Sequence, residues 1–183
     1  MARTAQNSTH LAIEDYVNAV EQQGGLYTNY PVVINNSLTV NGAISGQSSI
    51  NALSSNTTLT ASQSGEVFLL NSASGVTVTL PAAQVGLTYT FIVETSVTSN
   101  DYKVTVGSSN GYLIGSVVEG ASAGATDIFI GNGTSDISVT QNGSTTGGLQ
   151  GSVLTVTCVT TGLWQVSGTL IGSGTVATPF ATT

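Results

Sequence analysis

Few residues in this sequence are able to do chemistry. It has one histidine, His10, one cysteine, Cys158, two cations, Arg3 and Lys103, and nine carboxylates. A Ser-His-Asp triad would have only His10 to draw on. That residue opens the chain's one helical pattern, where it reads as a surface or capping residue. A reactive thiolate needs cations or a histidine beside it. Cys158 instead sits in the alternating run Val153-Leu-Thr-Val-Thr-Cys-Val159 and reads as a small buried apolar side chain. Asp101, Asp127 and Asp136 lie near loop ends without the Asp-x-Asp-x-Asp-Gly spacing of a calcium loop, so they read as turn formers. A glycosidase needs two carboxylates across one cleft, and the separation of Glu66 and Glu94 in sequence does not place them there. Trp164 and Tyr102 are the types that stack on sugars, but Trp164 stands inside an alternating strand and reads as core. No glycine-rich phosphate loop precedes a helix. The expectation is a chain with no catalytic residues, no metal and no cofactor.

Charge narrows the field further. Charged residues make up 6% of the chain, against about 25% in an average soluble domain. Two cations cannot neutralise a run of phosphates or hold an anionic bilayer, so neither nucleic acid nor membrane is expected as a partner. No stretch approaches the ~20 apolar residues that span a bilayer, and residues 1–23 lack the apolar run of a secretory leader. Gly, Ser, Thr and Asn take the place of charge. Such a surface suits contact with other copies or other proteins, because mobile charged side chains are depleted at interfaces. The Asn-x-Ser/Thr triplets at Asn7, Asn56, Asn132 and Asn142 reflect composition.

The elements that carry these residues fall into three regions. In residues 1–56, Ile13, Tyr16, Val17 and Val20 recur at i, i+3, i+4 and i+7, one face of a short helix that Gly24-Gly25 ends. So narrow a stripe does not hold a lone helix in water, so it must dock on something. Short extended pieces follow, Pro31-Val-Val-Ile34 and Leu38-Thr-Val40, punctuated by Asn-Gly, and the region reads as an arm. Residues 57–170 alternate throughout: Val76, Val78 and Leu80; Leu87, Tyr89, Phe91 and Val93; Val104 and Val106; Ile128 and Ile130 about Phe129; Ile137 and Val139; 153–159; and 163–166. Period-two patterns between Gly, Asn and Ser turns predict an all-β fold, an antiparallel β-sandwich of jelly-roll type. Residues 171–183 read as a tail.

The run Gly65-Glu-Val-Phe-Leu-Leu, Gly75-Val-Thr-Val-Thr-Leu-Pro81, Gly86-Leu-Thr-Tyr-Thr-Phe-Ile-Val93 resembles a module of tailed-bacteriophage structural proteins. Tyr102-Lys-Val-Thr-Val106 and the closing Leu163-Trp164-Gln-Val-Ser-Gly168 fit the same module, which covers about residues 57–170. It recurs in capsid decoration (cement) proteins, head fibres and tail fibres. The resemblance implies a virion location, a homotrimer and a small β-sandwich. The physical reading agrees: Pro81 cannot donate to a ladder and ends its strand, and Gly86 permits the turn into the next.

Together these readings predict a decoration protein on the capsid surface. It would bind itself and the major capsid protein, with the stripe Ile13, Tyr16, Val17 and Val20 as its docking face. The alternative is a fibre module that binds host polysaccharide. That role would favour an exposed aromatic groove and a long repeated shaft, and the sequence has no clear long repeat.

Overall fold

The structure is a computed structural model that describes residues 49–107, 111–122 and 124–183. The expected helix, His10 and the docking stripe Ile13, Tyr16, Val17 and Val20 lie outside the described residues, as does most of the expected arm. The described part is an all-β sandwich of two sheets.

Twelve strands build it: β1 (Ile50–Leu53), β2 (Thr57–Thr58), β3 (Val67–Leu70), β4 (Val76–Thr79), β5 (Thr88–Val93), β6 (Tyr102–Thr105), β7 (Tyr112–Ala121), β8 (Thr126–Asn132), β9 (Ser138–Gln141), β10 (Val153–Thr160), β11 (Leu163–Gly172) and β12 (Phe180–Ala181). The larger sheet has seven strands in the order β1-β3-β5-β10-β11-β7-β8, and the smaller has five in the order β12-β9-β6-β4-β2. The β domain therefore runs past the expected bounds at both ends. β1 precedes Thr57, and β12 lies in the expected tail, where Phe180 is buried in the core.

Pairing also departs from the antiparallel expectation: β1–β3, β3–β5, β2–β4, β4–β6 and β7–β11 are parallel, and the other five pairs are antiparallel. The reason lies in the path of the chain. From β1 to β6 successive strands alternate between the two sheets, so strands two apart in sequence become neighbours with the same direction. Alternation of apolar residues records which face is buried, and it carries no information on strand direction.

The core is one cluster between the sheets. A register row on the inner face of the large sheet reads Phe68, Phe91, Leu154, Gly168, Val117, Phe129. Phe68 stacks on Phe91 at 5.7 Å, and Tyr89 meets Trp164 at 6.2 Å. Trp164 and Tyr102 are fully buried, so neither offers a sugar platform. Tyr102 ties the two sheets together. It stands on β6 of the small sheet, and its hydroxyl accepts from the Ser72 amide at 2.8 Å while lying 3.1 and 2.8 Å from the Leu70 and Thr95 carbonyls.

Asn-Gly turns recur with one device. The Asn132 Oδ1 accepts from the amides of Thr134 and Ser135, and the Asn142 Oδ1 from those of Ser144 and Thr145. Gly133 and Gly143 supply the positive φ that follows each asparagine. The Asn-x-Ser/Thr triplets at Asn132 and Asn142 are thus turn formers.

Candidate functional site

The outer face of the large sheet is built by strand register. Reading perpendicular to the strands, one row is Ile50, Val67, Thr90, Thr155, Ser167, Ser116, Ile130. The next outward row is Ala52, Leu69, Ile92, Val153, Thr169, Val118, Ile128. Neither row contains a charged residue, although each crosses all seven strands. Hydroxyls occupy the middle of the first row, where Thr90 and Thr155 sit 3.2 Å apart, and continue beside it in Thr88 and Thr157, 3.1 Å apart, while Ile92 and Val153 fill the middle of the second. Aliphatic side chains occupy the ends, with Ile50, Ile128 and Ile130 at 63%, 60% and 72% exposure. With strands about 4.8 Å apart and rising about 3.3 Å per residue, the two rows cover on the order of 400 Å² in projection. One of the strands of this face, β3 (Val67-Phe-Leu-Leu70), is apolar throughout, the pattern of a strand covered on both faces.

A second feature lies inside. Glu119 points inward from β7, in register with Leu170 of β11 on one side and Asp127 of β8 on the other. It is 0% exposed, and neither carboxylate oxygen accepts a hydrogen bond of good geometry. Burial pushes its carboxyl up to about 7, while the amide of Gly147 pulls the other way. A buried carboxyl without a well-formed hydrogen bond is held more cheaply with its proton on.

The expected chemical residues do not converge. Glu66 stands just before β3 and accepts from Asn51 Nδ2 at 2.7 Å. Glu94 stands just after β5 and donates its amide to the Leu70 carbonyl at the far end of β3. The length of a strand, on the order of 15 Å, lies between them, beyond the spacing of a glycosidase pair. Asp136 accepts from the Asn132 amide at 2.9 Å, and Asp127 turns back onto the Ile128 amide at 2.8 Å, so both serve turns and ends. Cys158 is buried, its thiol pushed up by desolvation. Asp101 borders a polar cleft of about 260 Å³ with Asn56, Ser74 and Asn100, where Asn100 donates to the Ser74 carbonyl. Among the described residues no group of three or more His, Cys, Asp or Glu is placed to hold a metal, and no helix is long and apolar enough to cross a membrane.

Two features escape the sequence reading. Glu119 lies in β7, whose pattern Gly115 and Gly120 interrupt; a period of two carried on from Val117 would have turned it inward. Ile128 and Ile130 belong to a strand whose alternation was legible, but the pattern alone does not say that Phe129 takes the inner side. No family model, curated protein or solved structure matches the chain.

Proposed function

We propose that the chain is a capsid decoration protein of a tailed bacteriophage, a rigid β head that coats the outer shell in many copies and reinforces it by non-covalent contact. The observation that carries this reading is the pair of charge-free rows crossing the large sheet. A face of that size without charge is suited to be covered by protein, and it offers no group for acid, base or nucleophilic work. The resemblance at Gly65–Val93 supports the virion location and three copies per assembly, and the stripe Ile13, Tyr16, Val17 and Val20 is the segment best suited to grip the major capsid protein. The mechanism is mass action: a partner that binds only the assembled shell stabilises it. With so few cations, attachment rests on apolar contacts and hydrogen bonds that salt screens little. The test is co-sedimentation of the protein with phage shells lacking it. Wild type should pellet equally at low and high salt, and an Ile13→Asp, Val17→Asp variant should stay in solution. Equal pelleting of the variant refutes the docking stripe. Wild-type binding to host cells in place of shells refutes decoration and favours the fibre role.

A further inference from the structure

The geometry points to the β7–β8 end of the charge-free face as the place where one copy of this chain packs against another. Three large apolar side chains are exposed together there: Val118 on β7, and Ile128 and Ile130 on β8. Register sets Ile128 beside Val118, and Ile130 beside Ser116. β8 is also the last strand of its sheet and seven residues long, whereas both edges of the small sheet are two-residue strands. Proteins commonly keep a strand edge from pairing by making it short or by placing lysine or proline on it. β8, Thr-Asp-Ile-Phe-Ile-Gly-Asn, has neither lysine nor proline.

Charge selects the occupant. The chain carries nine acids against two cations, so a contact between copies is favoured where no acid of one faces an acid of the other. At this end of the face, copies related by a rotation axis beside β8 would bring isoleucine to isoleucine with no acid of one copy facing an acid of the next. The nearest carboxylate on the strand, Asp127, points to the other face of the sheet and is bound to the Ile128 amide of its own chain. A basic partner would find no acid here to pair with.

This inference rests on the self-association part of the reading above and is independent of the shell. The test is light scattering on the full chain, comparing wild type with an Ile128→Glu, Ile130→Glu variant and with Ile50→Glu at the opposite edge of the same sheet. Circular dichroism checks that each variant stays folded. Wild type and Ile50→Glu should give a multiple of the 18.4 kDa chain mass, and the double variant should fall to that mass. An Ile130→Cys variant, whose native Cys158 is buried, should form an intermolecular disulfide under mild oxidation, which keeps the test valid if the glutamates unfold the protein. A double variant that keeps the wild-type mass, or Ile130→Cys that stays monomeric on oxidation, overturns the β8 assignment alone. A monomeric wild type overturns self-association as a whole.

Discussion

Replacing Glu119 with glutamine should change how stability depends on pH. The carboxyl is fully buried and its pKa stands at about 7, against 4.5 for an unperturbed group. The folded state therefore holds a proton that the unfolded chain releases between those values. Stability from this group is complete below pH 4.5 and is lost as pH rises through about 7. At 1.36 kcal/mol per tenfold change in proton affinity, the loss is about 3 kcal/mol. In thermal terms this is on the order of 10 °C for a domain of this size. Glutamine keeps the shape and cannot ionise. Urea unfolding at pH 4 and pH 8 checks the reasoning. At pH 4 the variant should match wild type to within about 1 kcal/mol, and at pH 8 it should be the more stable by about 3 kcal/mol. A difference between variant and wild type that does not change across this window would refute the account. So would a wild type that gains on the variant as pH rises.

Tyr102→Phe removes the hydroxyl that joins Ser72, Leu70 and Thr95, leaving buried backbone groups without it. It should cost about 1–3 kcal/mol in urea unfolding, with no change in shell binding. Gly115→Ala should cost about 3 kcal/mol or more: φ at this position is +100°, and a Cβ there would run into the Val166 carbonyl oxygen of the paired strand β11. The fall in melting temperature reads it directly.

The sandwich was legible because burial follows a period of two. Leu87, Tyr89, Phe91 and Val93 alternate in sequence, and all four are buried. Pro81 and Gly86 marked the break between β4 and β5. Strand direction was not legible, since β1 crosses to β2 of the other sheet within three intervening residues and nothing in the alternation records that crossing. β7 was missed because Gly115 breaks its pattern, and that glycine is needed where β7 passes close to Val166. β1, β2 and β12 are short, and their place is fixed by partners distant in sequence: Val67, Val78 and Val139. The charge-free rows were foreshadowed by composition alone, since only pairing register brings Ile50, Thr155 and Ile130 into one line.

The central claim, that this chain coats a phage head, is tested most directly by counting its copies in purified virions and heating particles with and without it. A decoration protein should be present in numbers comparable to the major capsid protein, because every equivalent junction offers the same site. Particles lacking it should release their genome at a lower temperature. A handful of copies confined to the tail, with head stability unchanged and adsorption to the host lost, would contradict the account.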